Sequence, residues 1–372
     1  MLSGLSASLT NMDPLARMRL FMNDHLDYHE VPSMRASVPI QDKLWMPAEP
    51  TEVFDTYWRF AAERQEIFFR KAMCLPPRWT DDDILHKHKF TNAYRAADRV
   101  SQFLIRHVIY EGSQEPEELF FRIILFKLFN RIETWKLLGE SVGSIAWNTY
   151  EFTRYERALS AAMAKGIRIY SAAYMMPSGS RQFGSSRKHI NHLRLLESMM
   201  RNELSDQIRR ARSMREAFEL IRGFPTIGDF LAYQFVTDLN YSTLTDFSEM
   251  EFVVAGPGAK DGIRKSFRNL GGLNESELIL LVAQRQHDEF IRRGIRFRSL
   301  WGRPLQLIDC QNLFCEVDKY ARVAHPLVRG ISARTRIKQK YRSQGGPIDY
   351  WFPPKWMLND AIEQWKTQTK LK

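Results

Sequence analysis

Three features of the sequence predict a mainly α-helical protein, built as a helical array with little sheet. Apolar side chains recur at helical spacing, as they do across residues 54–69. Helix start signals are frequent, for example Ser213 followed three positions later by Glu216. Segments of strand character are few and short, and residues 167–174 are the longest of them. These patterns favour helices packed on helices as the fold class.

The first half of the chain predicts four helices. Thr51 is expected to cap the first helix, which presents one aromatic face made of Phe54, Tyr57, Trp58, Ala61, Phe68 and Phe69. A second helix places Val100, Phe103, Leu104, His107 and Val108 on one side. The third begins near Pro116 and runs to Gly139; it is apolar around most of its circumference and is therefore expected at the centre. The fourth runs from about Thr149 to Gly166.

The second half alternates short strand candidates with capped helices. The expected elements are a strand at 167–174, a flexible basic loop at 177–188, a helix from Arg187 past Leu204, a capped helix from Ser213 to Gly223, a helix capped by Asn274 and Glu277 that ends at Gly294, and a strand at 305–308. No internal repeat is present in the sequence.

Composition divides the chain into three regions. Residues 1–50 have weak periodicity and scattered prolines, which indicates an irregular N-terminal arm. Residues 51–325 carry the helical pattern and form the expected core. Residues 326–372 form a basic and aromatic C-terminal tail, interpreted either as a solvated segment or as an arm that binds a polyanion backbone.

Charge and cysteine content narrow the possible partners. Lys and Arg number 54 against 43 Asp and Glu, so the net charge is +11 and the sequence pI is about 9.5. A surplus of this size attracts polyanions, and nucleic acid is the expected partner. No apolar run approaches the roughly 18 residues of a membrane span. The chain has three cysteines without paired spacing, which indicates a reducing compartment and therefore a cytoplasmic location. The basic charge adds the expectation of association with the nucleoid. We also expect a monomer.

The segment Gly223-Phe-Pro-Thr-Ile-Gly228 lies between two predicted helices. It resembles the helix-hairpin-helix of DNA glycosylases, residues 213–238 here, whose hairpin reads Leu-Pro-Gly-x-Gly. Phe224 replaces the Leu and Thr226 replaces the first Gly. Free N–H groups at the start of the second helix suit a DNA phosphate, so Thr226 and Gly228 are candidate DNA-binding residues. The alternative is an ordinary packing corner between two helices.

Three acids follow the hairpin, where the glycosylase resemblance implies a catalytic carboxylate. They are Asp246, Glu249 and Glu251, and Glu249 fits the spacing best. Cleavage of an N-glycosidic bond builds positive charge on the sugar, which an anion stabilises, or the anion activates water. The competing interpretation is a solvated acidic loop. Phe230 stands where lyase-type glycosylases carry a Lys, which implies a monofunctional enzyme without a Schiff base.

A glycine-rich segment follows, with three cations within it. Gly256, Gly258 and Gly262 indicate close backbone approach to a neighbour. The three cations are candidate DNA-phosphate contacts, namely Lys260, Arg264 and Lys265.

The resemblance extends over about residues 50–325. The runs Lys89–Ile105, Leu125–Asn130, Val254–Gly258 and Asp309–Tyr320 are similar to the helical domain family of the 5-hydroxymethyluracil DNA kinases, to which the alpha-glutamyl/putrescinyl thymine pyrophosphorylases are related. The family resemblance implies a base pocket lined by Asn92, Tyr94, Arg95, Tyr174, Asn312 and Glu316. Capping, salt bridges and core packing are the alternative roles for these side chains.

We therefore expect an enzyme that flips a modified base out of double-stranded DNA and excises it, leaving an abasic site, as a defence against phages. The base is expected to derive from a 5-hydroxymethyl base, with or without an attached sugar. The alternatives are transfer of an amine to an activated base, with loss of pyrophosphate, and DNA binding without catalysis. Kinase chemistry is disfavoured because the phosphate-loop pattern is absent from the sequence. No cofactor is expected. The His189 and His192 pair lacks a third ligand at suitable spacing, so no metal is expected and a surface or DNA-facing role is favoured.

Overall fold

The computed structural model describes residues 48–173, 176–342, 346 and 348–370. The predicted arm at 1–50 lies almost wholly outside these residues, and so does Tyr174. The described part confirms the mainly α class, since its sheet consists of two short antiparallel strands, β1 (Glu49–Pro50) and β2 (Phe267–Asn269).

Helices make up most of the described chain. Those before the hairpin segment are α1 (Glu52–Ala72), α2 (Asp83–Lys87), α3 (Arg99–Phe103), α4 (Pro116–Phe129), α5 (Ile132–Val142), α6 (Phe152–Ala164), α7 (Ser180–Phe183), α8 (Lys188–Arg201) and α9 (Leu204–Arg210). A π-helical stretch, Leu104–Ile109, continues α3. The helices after this point are α10 (Met214–Arg222), α11 (Asp229–Leu239), α12 (Pro257–Ser266), α13 (Glu275–Gln284), α14 (Gln286–Arg292), α15 (Leu307–Ala324) and α16 (Asn359–Lys370).

The centre of the described core is α4, which confirms the prediction of a buried third helix. Its side chains from Glu118 to Phe129 are all buried. The helix ends earlier than predicted because Asn130 adopts a left-handed conformation (φ 49°), so that the run to Gly139 is divided between α4 and α5. Helix α1 packs its aromatic face into the same core, and Thr51 caps it by accepting a hydrogen bond from the Val53 N–H.

Four other predicted elements differ from the structure. The helix predicted from Asn274 to Gly294 is divided at Arg285 into α13 and α14. Residues 167–173 form no strand, since this segment pairs with no neighbouring strand. Residues 305–308 hold the start of α15 instead of a strand, because Gln306 and Asp309 form a reciprocal capping box there. The helix predicted to run past Leu204 is broken by Glu203, whose φ of 52° ends α8.

Helices α12 and α15 are in direct backbone contact. A Cβ atom on Gly262 would lie 1.9 Å from the carbonyl oxygen of Phe314, and one on Gly258 would lie 2.3 Å from Cys315 Sγ. Only glycine permits this approach, which confirms the expectation of close backbone packing in this segment. The contact fixes α12, which follows the hairpin in sequence, against α15.

The C-terminal region packs on the core. Tyr350, Phe352 and Ile362 are buried, and the Phe352 ring lies 6.2 Å from that of Trp301. The division into arm, core and tail stays a prediction.

Among the described helices, none combines the length and the apolar character that crossing a membrane requires.

Candidate functional site

The hairpin segment is an exposed connection between two packed helices. Residues 223–228 join α10 to α11, and Gly223, Pro225 and Gly228 are exposed. Gly228 caps α11 with extended backbone and no side-chain hydrogen bond to the first turn. An ion pair between Arg222 and Asp229 ties the two helices together across the turn. Helix, short turn and helix therefore occur where predicted, and their role in binding DNA stays a prediction.

Thr226 in this turn has a backbone conformation that favours glycine. Its φ is 69°, in the left-handed region, which a β-branched residue rarely adopts. Its Oγ1 is buried without a hydrogen bond. The turn therefore holds backbone strain at Thr226.

The fold separates the three predicted catalytic acids. Glu249 is 8% exposed, and its Oε1 lies 2.7 Å from Arg303 Nη2. The Asp246 side chain is 88% exposed and lies 3.4 Å from Lys355 Nζ. Glu251 is exposed. The solvated-loop interpretation therefore describes Asp246 and Glu251, whereas Glu249 is an enclosed, ion-paired carboxylate.

The cations beside these acids come from distant parts of the chain. The Arg303 guanidinium lies 3.9 Å from the ring centroid of Trp356, in cation–π geometry. Lys355 Nζ also donates to the carbonyl oxygens of Ser242 and Thr245. The 3₁₀ turn Pro354–Trp356 is thereby held over the loop that carries Glu249. Sequence reasoning missed these three residues, because only tertiary folding brings them to Glu249.

A second acid lies beneath Glu249. Burial raises the pKa of Asp309 to about 7, and the negative charge of Glu249 adds to the increase. The two Asp309 oxygens accept hydrogen bonds from the Arg95 and Gln306 backbone N–H groups, at 2.8 and 3.0 Å. Asp309 is therefore partly protonated near neutral pH and interacts electrostatically with Glu249, an arrangement that suits acid–base chemistry.

The motif residues Tyr94 and Arg95 are fully enclosed. The Arg95 guanidinium donates to both oxygens of Asp238, at 2.7 and 2.9 Å, and Lys127 Nζ lies 2.9 Å from the same carboxylate. The Tyr94 hydroxyl donates to the Arg303 carbonyl oxygen at 2.6 Å. These contacts join α11, α4 and the Arg303 loop, so both side chains support the structure around Glu249. Direct base contact by them stays a prediction.

The remaining pocket candidates are partnered in a polar network. Asn92 accepts from Arg64 Nη2 at 3.1 Å, and Glu316 accepts from the Thr91 N–H at 2.9 Å and from Lys319 at 2.7 Å. These are the capping and salt-bridge contacts that the alternative interpretation expects. Asn312 is half-buried on α15.

The three cations of α12 lie in different environments. Lys260 is exposed, and Arg264 is exposed with Glu275 at 3.4 Å. Lys265 is 2% exposed, and its Nζ lies 2.7 Å from Asp318 Oδ1. The contact between α12 and α15 encloses the Lys265 side chain, and contact of these three cations with DNA phosphate stays a prediction.

The histidine pair of α8 is interior, contrary to the predicted surface role. His189 Nε2 lies 2.8 Å from Ser160 Oγ, and His192 Nδ1 lies 2.8 Å from the Tyr170 hydroxyl. Burial lowers the pKa of His192 to about 4, so it is neutral at physiological pH. The part of the chain that the structure describes contains no group of three His, Cys, Asp or Glu side chains arranged to hold a metal.

A separate cavity has a volume of 1010 Å³. Acidic side chains dominate its charged lining, namely Glu111, Glu115, Glu117, Glu118 and Asp206, and none of the predicted site residues lines it. Its charge is unsuited to a polyanion.

The fold and the site define a mainly α-helical protein with an exposed helix–turn–helix corner and two enclosed acids, Glu249 and Asp309, from separate parts of the chain. The chain belongs to the family described as "5-hmdU DNA kinase, helical domain", whose pattern matches residues 51–330. It is 27% identical over 294 residues to a protein named 5-hmdU DNA kinase from Bacillus phage SP10. The match covers 74% of this chain and 46% of the relative, so the chain spans about half the length of the curated relative that it matches. No solved structure matches the chain.

Proposed function

We propose that this protein acts on DNA that carries a modified base and that it excises the base. The observation that carries the proposal is the environment of Glu249, an enclosed carboxylate held against Arg303 at 2.7 Å, downstream of the hairpin. Of the three acids expected to be catalytic, it is the one in a preorganised, water-poor environment. Such an environment strengthens the action of an anion on a developing positive charge.

The relative from Bacillus phage SP10 supports DNA with a modified base as the target, since its name states a kinase of 5-hmdU DNA. The net charge of +11 fits a polyanionic partner. Exposed backbone at the start of α11, at Gly228 and Asp229, supplies N–H groups of the kind that hold a DNA phosphate.

In the proposed reaction, the target nucleotide leaves the stack and its N-glycosidic bond breaks. The bonding electrons leave with the base, which takes up one proton, and the sugar becomes cationic at C1′. Glu249 stabilises this cation or accepts a proton from the attacking water. The water oxygen bonds to C1′, so the products are a free base and an abasic deoxyribose.

Asp309 supplies the second proton-active group of the proposal. With a pKa of about 7, it is about half protonated at neutral pH, whereas Glu249 faces the guanidinium of Arg303. A partly protonated Asp309 can act as an acid, while the carboxylate of Glu249, held by Arg303, acts as the anion. Asp309 also holds the backbone of Arg95, so its position is fixed.

The test is incubation with DNA of several modification types, followed by alkali to cleave abasic sites and by mass spectrometry of the released base. Glu249→Gln keeps the side-chain volume and an acceptor for Arg303, and is expected to lower the rate about 10²- to 10⁴-fold. Glu251→Gln is the matched control, because Glu251 is exposed in the same loop. Unchanged excision by Glu249→Gln would refute the assignment.

Transfer is the second candidate, since the Bacillus phage SP10 relative is named a kinase and kinases are transferases. In this reaction an amine would displace pyrophosphate from an activated 5-hydroxymethyl base. The DNA would gain mass, pyrophosphate would be released, and alkali would leave the strand intact. That combination of results would replace excision by transfer.

A further inference from the structure

A small basic cavity lies where the ends of α12 and α15 meet the segment that follows α15. Its volume is 190 Å³. Four cations line it, namely Lys265, Arg322, Arg329 and Arg334, and Ser332 and Thr335 add hydroxyl groups. No acidic side chain of the described residues is among those that line it. The cavity is smaller than the roughly 300–1,000 Å³ typical of sites for drug-sized ligands, so it suits a small anionic group.

Two cations at the base of the cavity are held in place by one carboxylate. Asp318 is buried on α15; it lies 2.7 Å from Lys265 Nζ and forms a further ion pair with Arg322. Asp318, together with Asp261 beside Ser332, leaves the four cations in excess, so the cavity keeps a positive field. Lys265 is buried, and because desolvating such a cation is costly, an anion that enters the cavity stabilises it.

One hydrogen-bonding group beside the cavity is unused. Arg322 Nε is buried and has no hydrogen-bond partner among the described residues. Buried polar groups are normally satisfied, and an unsatisfied donor beside cations indicates an absent acceptor. The Ser332 backbone is fixed, since its N–H donates to Asp261 Oδ1 at 2.6 Å. The donors are therefore prearranged.

We call this space the basic cavity and propose that it binds a phosphate group of a DNA strand. Two exposed apolar residues that neighbour cavity-lining residues in sequence, Leu327 at 90% and Ile331 at 66%, favour a strand over a free ion. Apolar surface beside a phosphate site suits the sugar and base faces of DNA. This inference rests on the proposed action on DNA, but it concerns a site that the excision chemistry does not use.

The position of the basic cavity is compatible with a hairpin contact on the same strand. At the N-terminal end of α12, a Cβ on Gly256 would lie 2.7 Å from the ring of Phe230, in the first turn of α11. Lys265 is at the opposite end of α12. The helix separates the two by about 13 Å at 1.5 Å per residue, which corresponds to about four nucleotide steps at 3.4 Å.

The experiment measures binding of an unmodified, fluorescently labelled DNA duplex by anisotropy at several salt concentrations, so that recognition of a modified base is not involved. Arg329→Ala combined with Arg334→Ala is expected to lower affinity at least tenfold and to reduce the salt-dependence slope by about 0.9, the value for one phosphate. Lys338→Ala, an exposed cation of the same segment that does not line the cavity, is the control.

An uncharged variant separates the cavity from general electrostatics. Ser332→Ala is expected to weaken DNA binding about three- to tenfold, because its hydroxyl lines the cavity and carries no charge. DNA affinities equal to that of Lys338→Ala for both variants would overturn the proposal.

Inorganic phosphate is the second probe. One outcome is that phosphate raises the thermal unfolding midpoint of the wild type but not of the double variant, while both proteins bind DNA equally well. In that case the cavity binds free phosphate, and the DNA assignment is overturned. If the cavity variants weaken DNA binding but the wild type excises no base, the basic cavity is supported as a DNA site and only the proposed function is refuted.

Discussion

Asp238 on α11 offers a direct test of how the core around the site is held together. Its side chain is 1% exposed and contacts Arg95 and Lys127, whose side chains are equally enclosed. Burial alone would raise the pKa of Asp238, but the two cations outweigh burial and lower it. Asp238→Asn keeps the shape of the side chain and removes the charge that both cations face.

The expected loss of stability follows from burial. Removing one partner of a buried ion pair costs about 3–5 kcal/mol, because the remaining charge stays desolvated. A loss of this size is a large fraction of the roughly 5–15 kcal/mol that stabilises a folded protein. Asp349→Asn is the matched control: Asp349 also bridges two cations, Arg106 and Lys366, but its side chain is 60% exposed. Such surface pairs contribute about 0–1 kcal/mol.

The assay is urea unfolding followed by circular dichroism, with the free energy extrapolated to water. The lowered pKa of Asp238 also predicts that its contribution is present above about pH 4, the unfolded pKa, and is lost as the pH falls through the folded value. The reasoning is refuted if Asp238→Asn and Asp349→Asn lower the free energy of unfolding by the same amount.

Three further predictions concern the packing, the turn and the pH response. Gly262→Ala is expected to destabilise the protein by about 1–3 kcal/mol or more, since its Cβ would collide with the Phe314 carbonyl. Gly139→Ala, the control, has open space around it and should stabilise the protein by up to about 1 kcal/mol. Thermal unfolding midpoints compare the two variants, and equal shifts would contradict the contact. Thr226→Gly should stabilise by about 1 kcal/mol by relieving the positive φ and should leave DNA binding intact; a destabilised variant would argue against strain there. Because the pKa of Asp309 is raised to about 7, the folded state holds the proton more tightly than the unfolded state, and stability falls as the pH rises from about 4 to 7. Asp309→Asn should flatten this fall in a series of unfolding curves measured at different pH. An unchanged slope would contradict the raised pKa.

The helical pattern was predictable where local signals and the tertiary structure agree. Thr51, as the N-cap of α1, and the capping box of Asn274 and Glu277 depend on contacts within one turn, and both are present. Chain breaks inside apolar runs were not predictable. Asn130 and Glu203 end helices by adopting left-handed backbone, which neither periodicity nor composition reports.

The sequence by itself determined the helical class, the family and the position of the turn between α10 and α11, because these depend on short-range periodicity and on runs of neighbouring residues. Only the tertiary structure decided which of three acids is enclosed: Glu249 meets Arg303, which is 54 positions away in the chain, while Asp246 and Glu251 remain in solvent. It also placed Lys265 inside the basic cavity instead of on an open surface. Burial and charge pairing depend on contacts between distant segments, and a linear pattern carries no record of those contacts.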